Sequence, residues 1–208
     1  EVEYSTFGNN EDLYNQLTLG NSFDLICPSE YMFMKLIAEQ KLQPLSEEFF
    51  DEQREENYYV RGVSDYIRNI FDTNTIQGDP WSKYAAGYMW GTTGIVYNPE
   101  EITKEEASHW SILADPKYKG QVTIKDNVRD SYFAALGILN EEELLQEDFL
   151  TADDRLERIA QKMNQTDEET VGKAEDILKQ MKENAYSFES DSGKADMVTG
   201  KVLANYQW

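Results

Sequence analysis

The sequence predicts an α/β fold with two lobes, each a mainly parallel sheet flanked by helices. In the first half of the 208 residues, short apolar runs alternate with segments of helical spacing, and the same order recurs in the second half. A long extended segment rich in Gly, Thr and aromatic residues, 85–97, lies between the halves. Alternation of strands and helices at this pitch is typical of parallel sheets. We therefore expect lobes of residues 1–95 and 96–208, with a strand crossing between them at about 88–97.

The first lobe is predicted from alternating and continuous apolar patterns. Val2–Phe7 alternates like a half-buried strand, and a capped helix follows over Glu11–Leu19. Phe23–Cys27 has the pattern of a fully buried strand, and a helix begins after Ser29. Leu42–Leu45 is a short edge strand. Residues 46–83 are predicted to form surface structure, with a short helix around Val63–Phe71.

The second lobe repeats this order after a corner, "HWSILADPKYKG", at residues 109–120. The Asp-Pro turn is expected to direct the chain into a strand, and residues resembling capping boxes indicate later helix starts. The predicted strands are Gln121–Lys125, Tyr186–Glu189 and Val202–Gln207, and the predicted helices are Val128–Leu139, 152–163, 167–182 and Ala195–Gly200.

Composition excludes several classes of partner. The chain has 40 acidic and 19 basic residues, a formal net charge of −21, which argues against nucleic acid or an anionic membrane surface. The charge is compatible with a cationic ligand, although acidic surfaces also serve solubility alone. Aromatic residues make up 12% of the chain, too many for a disordered coil. No run approaches the roughly 20 apolar residues of a membrane span, so direct membrane insertion is not expected.

Catalytic signals are scarce. The single histidine, His109, is predicted to be a corner or surface residue, and the single cysteine, Cys27, a small buried hydrophobe in a strand. The sequence contains no phosphate-binding loop, nucleophile elbow, zinc-protease motif or Gly-rich dinucleotide fingerprint. Pairs of acids abound, but forty of them produce every spacing by chance. We therefore predict no catalytic residue, no metal site and no cofactor.

Polar and aromatic residues follow several predicted strands. Ligands bind outside the carboxyl ends of strands in open α/β sheets, a rule that selects Ser29–Tyr31, Asp126–Asp130, Ser190–Ser192 and Trp208. Each has a plainer interpretation, because Ser and Asn cap helices and an acid in a first turn favours the helix dipole. Together, hydroxyls, a carboxylate and aromatic faces would suit an amine through an ion pair, hydrogen bonds and cation–π contact.

Several motifs carry a resemblance to a known family. "WSILADPKYKGQV" resembles a corner shared by extracytoplasmic solute-binding proteins of the periplasmic-binding-protein type II class. "FDLICPSEYM", "YMWGTTGIVYNP", "DNVRDSYFAAL" and "SDSGKADMVTGKVLANYQW" are similar to the spermidine/putrescine-binding subunits of polyamine ABC importers. The resemblance extends over nearly the whole chain and is weakest at residues 51–83. Relative to this family, the chain is expected to be a fragment lacking both ends.

The resemblance implies a set of ligand-binding residues. These are Ser29, Tyr31, Asn127, Asp130, Ser190 and Trp208, with Asp130 holding an ammonium group. Asn127 stands where the family often has a second acid, and Asp130 stands where a longer Glu is usual. These departures bear on the preferred length of the amine.

The resemblance also implies a function. We expect a non-enzymatic protein outside the cytoplasmic membrane, periplasmic or anchored as a lipoprotein, that captures a polyamine and delivers it to the permease subunits of an ABC importer. An iron(III) or other cation receptor of the same fold is the first alternative, and an acid-dependent enzyme is the second. An anion receptor is disfavoured by Asp130.

Overall fold

The computed structural model describes residues 2–51, 53–54, 57–190 and 192–208, and the chain divides into two compact units, Glu1–Trp90 and Gly91–Trp208. Its helices are α1 (Asn10–Thr18), α2 (Glu30–Ala38), α3 (Tyr58–Gly62), α4 (Asp65–Thr73), α5 (Lys104–Ala107), α6 (Val128–Leu144), α7 (Glu147–Leu150), α8 (Arg155–Met163), α9 (Glu168–Asn184) and α10 (Gly193–Val198). Its strands are β1 (Thr75–Ile76), β2 (Asp79–Pro80), β3 (Gly94–Tyr97), β4 (Val122–Lys125), β5 (Ser187–Glu189) and β6 (Ala204–Gln207).

An aromatic cluster joins the helices α2 and α4 of the first unit. Phe33 of α2 meets Trp81 edge to face, with ring centroids 5.1 Å apart, and lies 5.7 Å from the ring of Phe71 on α4. Ile37 is buried against the same cluster. The helices predicted over Glu11–Leu19 and Val63–Phe71 are confirmed as α1 and α4 with slightly different bounds.

The prediction of three strands in the first unit is wrong, because the described residues of these segments do not form strands. Val2–Phe7, Phe23–Cys27 and Leu42–Leu45 are not strands, and the ladder described in this unit is the short antiparallel pair of β1 with β2. A strand forms only where a neighbour pairs with its backbone groups, and no such ladder is described for these segments. Leu25 is consequently 88% exposed, and Cys27, predicted to be buried, is exposed. Glu52, Glu55 and Glu56, within the segment predicted as surface structure, lie outside the described residues.

A four-stranded sheet forms the centre of the second unit, with the strand order β3-β6-β4-β5. β4 pairs in parallel with β6 on one side and with β5 on the other, whereas β3 pairs antiparallel with β6. The strands predicted over Gln121–Lys125, Tyr186–Glu189 and Val202–Gln207 are confirmed with slightly shorter bounds. Because β4, β5 and β6 run in the same direction, their carboxyl ends lie at one edge of the sheet.

The apolar core of this unit lies between the sheet and the helices α6 and α9. Ile124 of β4 and Tyr206 of β6 are fully buried in it, together with Leu113. α6 extends to Leu144, beyond the predicted end at Leu139, and the other predicted helices are present as α8, α9 and α10. Successive side chains of a strand point to opposite faces, so Asn205 and Gln207 lie on the face opposite Tyr206.

The predicted corner before β4 is confirmed. The side chain of Asp115 accepts a hydrogen bond of 2.8 Å from the backbone N–H of Lys117, which fixes the turn at Pro116. Tyr118 is buried, and Gly120 has a positive φ of 74°, a conformation that favours glycine. The N–H of Gly120 donates to the carbonyl of Asn184 at 2.7 Å. The corner therefore connects the start of β4 to the end of α9.

Glu106 joins this corner to α5. Its carboxylate accepts from the backbone N–H and hydroxyl of Thr103, at 2.9 and 2.7 Å, to complete a capping box, and it also accepts from the ammonium of Lys117. The hydrogen bond from Lys117, followed by those from Thr103, lowers the pKa of Glu106 from 4.5 to about 2. The folded state thus favours the ionised form of this carboxyl.

We expect Glu106→Gln to lower the urea midpoint near neutral pH and to lose this effect in acid. A group whose folded pKa is depressed stabilises the fold fully above its unfolded pKa, and this contribution disappears as the pH falls through the folded value. The difference between the variant and the unchanged protein should therefore be constant above about pH 5 and shrink toward pH 2. Glu105→Gln, on the same helix, is the control. An equal, pH-dependent difference in Glu105→Gln would contradict the assignment.

Candidate functional site

The start of α6 brings a carboxylate to the carboxyl edge of the second unit's sheet. Asn127 caps the helix, and its side-chain oxygen accepts from the backbone N–H of Asp130 at 3.1 Å. Asp130 thus lies in the first turn, directly after β4, and is only 6% exposed. Asn127 and Asp130 therefore lie side by side at the start of α6, and the side chain of Asn127 acts as the helix cap.

The carboxylate of Asp130 has partners on both oxygens. Oδ2 accepts a hydrogen bond of 3.1 Å from the indole Nε1 of Trp208. Oδ1 lies 3.3 Å from Nη2 and 3.4 Å from Nε of Arg129. The structure therefore brings Asp130 and Trp208 into direct contact, and Trp208 is 50% exposed. Sequence reasoning missed Arg129, because adjacent residues of a helix do not normally face each other.

Ser190 is connected to this pair through the side chain of Gln207. Its carbonyl accepts from Gln207 Nε2 at 3.0 Å and from the ammonium of Lys125. The Gln207 Oε1 accepts from the backbone N–H of Trp208 at 3.1 Å. The side chain of Ser190 is exposed. Asp191, in the same predicted turn, lies outside the described residues.

Tyr206 anchors the site to the core. Its hydroxyl donates to the backbone carbonyl of Asp130 at 3.1 Å and lies 3.3 Å from the hydroxyl of Thr93. Burial raises the pKa of Tyr206 to about 12, so the phenol is neutral and can donate throughout the physiological range. Its ring meets Trp110 edge to face, with centroids 5.1 Å apart.

Ser29 and Tyr31 belong to the first unit, where they share a buried partner. Asn10 of α1 donates from Nδ2 to the hydroxyls of Ser29 and Tyr31, at 3.1 and 3.0 Å, and accepts from the backbone N–H of Ser29 at 2.9 Å. The Tyr31 hydroxyl also donates to Glu11 at 3.0 Å. The two predicted ligand residues therefore form one hydrogen-bonded group, which includes Asn10, a residue that the sequence did not single out.

The remaining sequence candidates lie elsewhere. His109 has its Nδ1 2.8 Å from Glu141, whose carboxylate also accepts from the backbone N–H and hydroxyl of Ser111, each at 3.0 Å. This agrees with the prediction of a corner residue. Within the described ranges, no group of three or more His, Cys, Asp or Glu side chains is arranged to hold a metal ion. No helix in the described part of the chain is long and apolar enough to cross a membrane.

We expect Asn10→Ala to accelerate hydrogen exchange at the amide of Ser29. The substitution removes the acceptor of this N–H and leaves two hydroxyls without their donor, a loss of about 1–3 kcal/mol of local stability. Exchange is measured by NMR on the labelled protein. Asn15→Ala, at an exposed position of the same helix, is the matched control. Unchanged protection of Ser29 in Asn10→Ala would show that the contact does not hold this turn.

Comparison with known proteins places the chain in a family. Residues 32–204 match the family described as bacterial extracellular solute-binding protein. The chain is 25% identical to the spermidine/putrescine-binding periplasmic protein of Escherichia coli, and 24% identical to its putrescine-binding periplasmic protein PotF. Each alignment covers all of this chain and 51% of the relative. The chain thus spans about half the length of the curated relatives it matches.

Solved structures share the fold. A putative spermidine/putrescine ABC transporter protein from Listeria monocytogenes superposes with a TM-score of 0.74 at 24% identity, covering 99% of this chain and 53% of that one. The TpPotD lipoprotein of Treponema pallidum gives a TM-score of 0.69 at 20% identity, with coverages of 97% and 54%. These likenesses confirm the predicted α/β fold class, although the ladder described in the first unit is antiparallel and not part of a parallel sheet. The description of the family names an extracellular location, which agrees with the predicted extracytoplasmic location. The chain belongs to the bacterial extracellular solute-binding protein family.

Proposed function

We propose that the protein captures polyamines outside the cytoplasm and delivers them to an ABC importer. The observation that carries the proposal is the buried carboxylate of Asp130, hydrogen-bonded to the half-exposed indole of Trp208 at the carboxyl edge of the sheet. The names of the similar E. coli proteins, which refer to spermidine and putrescine, support this choice of ligand.

The pair of Asp130 and Trp208 suits an alkyl ammonium group. A carboxylate in a partly desolvated site offers a charge-assisted hydrogen bond to an N–H donor. The face of an indole attracts a cation and also packs against the adjoining methylenes. The exposed Ser190 adds a polar group, and its carbonyl is connected through Gln207 to the backbone of Trp208. An amine with an apolar chain uses all of these features, whereas a simple metal ion does not use the indole.

Arg129 modifies this site. Its guanidinium lies within 3.4 Å of the carboxylate oxygen Oδ1 of Asp130, so an incoming ammonium must share or displace it. Two cations at one carboxylate repel each other. We infer that one ammonium binds less tightly here than at an isolated carboxylate, and that the remaining affinity comes from contacts along the rest of the ligand.

Ser29 and Tyr31 are proposed as ligand residues of the first unit. Asn10 fixes both hydroxyls through its amide, and a hydroxyl with a fixed position loses less entropy on binding than a mobile one. The proposed partners are the permease subunits of the importer, reached from the periplasm or from a lipid anchor. Calorimetry against putrescine, spermidine, spermine and iron(III) tests the ligand class, and binding of iron(III) alone would overturn it.

We expect Asp130→Asn to weaken spermidine binding more than tenfold. The amide keeps the shape and can still accept from Trp208, but the ammonium loses its counter-charge, a loss of about 2–5 kcal/mol for a desolvated charge pair. The dissociation constant is measured by calorimetry, with folding checked by circular dichroism. Asp126→Asn, which makes the same change at an exposed position nearby, is the control. Unchanged affinity in a folded Asp130→Asn protein would reduce this residue to an acid that favours the helix dipole.

We expect Asn127→Asp to increase the affinity for spermidine more than that for putrescine. Asp caps helices as well as Asn, so the start of α6 should be retained while a second negative charge is added beside Asp130. The additional charge favours the ligand with more ammonium groups. The ratio of the two dissociation constants, measured at low and high salt, reports the effect. An equal gain for both amines would mean that the charge acts only through the general field of the protein.

A further inference from the structure

Gln207 uses both ends of its side-chain amide to connect residues of the proposed site. It is 2% exposed, its Oε1 accepts from the backbone N–H of Trp208, and its Nε2 donates to the carbonyl of Ser190 and to a carboxylate oxygen of Glu189. An amide nitrogen has only two hydrogens, and both are engaged. The orientation of the amide is therefore determined, and with it the relative position of the chain segments at Ser190 and Trp208.

Glu189 holds the amide in this orientation. It is 7% exposed and accepts from Gln207 Nε2 at 3.2 Å on one oxygen and from the hydroxyl of Ser192 at 3.4 Å on the other. Since a carboxylate only accepts, it can face the nitrogen of Gln207 but not the oxygen. Gly193, the first residue of α10, packs directly against Glu189, because a Cβ at this position would lie 2.3 Å from the carboxylate. This close approach limits the space in which the carboxylate of Glu189 can move.

Stability alone does not explain a polar pair at this place. Burying a carboxylate is costly, and well-packed apolar residues are often as stabilising or more so. The surroundings are also incompletely satisfied, since in the described part of the chain Thr123 Oγ1 and Asn205 Oδ1 are buried without a hydrogen-bond partner. A directional hydrogen bond, in contrast, fixes the orientation of the Gln207 amide. This amide is hydrogen-bonded to the backbones of Ser190 and Trp208, whose relative position is therefore fixed as well.

We propose that Gln207 and Glu189 form a buried clamp that positions Trp208 and Ser190 and thereby sets the affinity of the second unit for its ligand. The inference rests on the proposed function for the identity of the ligand, but not for the existence of the clamp. Gln207 and Glu189 are positioning residues. Without the clamp, the backbone of Trp208 after β6 loses the acceptor of its N–H, and the indole is retained mainly by its hydrogen bond to Asp130.

Fluorine NMR of protein labelled with 5-fluorotryptophan tests the clamp without ligand. The chain contains four tryptophans, and Trp208→Phe identifies the resonance of Trp208. In Gln207→Leu and Glu189→Ala we expect this resonance to shift and broaden while those of Trp81 and Trp110 stay in place. Glu189→Gln, whose amide oxygen can still accept from Gln207, should keep the Trp208 resonance close to its original position.

Spermidine titrations by calorimetry connect the clamp to binding. We expect the dissociation constant to rise about three- to tenfold in Gln207→Leu and Glu189→Ala, as for the loss of one or two hydrogen bonds, and to be largely restored in Glu189→Gln. Asn184→Ala is the matched control. The substitution removes a buried hydrogen bond of 3.1 Å from Asn184 to the carbonyl of Leu113. Asn184 lies near the start of β4, at the edge of the sheet opposite the proposed site. The substitution should lower stability without moving the Trp208 resonance.

The outcomes separate the clamp from the proposed function. An unchanged Trp208 resonance in folded Gln207→Leu overturns the clamp, as does a shift of every tryptophan resonance together. If Gln207→Leu does not fold, the comparison of Glu189→Ala with Glu189→Gln decides, and identical Trp208 resonances in these two variants overturn the proposal. A selective shift of Trp208 in a protein that binds no polyamine supports the clamp and refutes the proposed ligand.

Discussion

The parallel pairing of β4 with both β5 and β6 is the constraint on which the second unit depends. Parallel strands end at a common edge, so one pairing pattern brings together residues from three separate parts of the sequence. Asp130 reaches this edge through the loop after β4, Ser190 follows β5, and Trp208 follows β6. The connection from β4 to β5 contains α6 and α9, which share the apolar core with the sheet.

Folding removes two carboxylates at this edge of the sheet from water, which costs free energy. Asp130 and Glu189 are both buried, and each is stabilised by donors rather than left alone. Asp130 also has a cation beside it, Arg129, whereas the donors to Glu189 are an amide and a hydroxyl. The two acids therefore differ in their surroundings, since of the two only Asp130 is hydrogen-bonded to a half-exposed indole, the feature on which its proposed role in ligand binding rests.

Local signals in the sequence predicted the parts of the site that are local in the structure. The cap at Asn127, the acid in the first turn of α6 and the tryptophan after β6 follow from spacing within a few residues. The apolar run Phe23–Cys27 gave a strand signal as clear as that of β4, yet no ladder is described for it, because pairing depends on a partner that a run of residues does not specify. The contact between Glu189 and Gln207 was missed for the same reason. The two residues are distant in the sequence, and no sequence pattern indicates which residue a polar side chain in a strand will contact.

The antiparallel pairing of β3 with β6 has a mechanical consequence. Gly94 is paired with Gln207, so the first residue of β3 and the last residue of β6 lie beside each other at the same edge of the sheet. A force that separates residues 91 and 208 loads the ladder at one end and opens its hydrogen bonds one after another, instead of shearing them all at once. The first pair to separate would be Gly94 with Gln207, followed at once by Ile95 with Tyr206, whose side chain lies in the core. The unit is therefore expected to resist tension poorly along this one direction, because opening the ladder soon reaches a core residue.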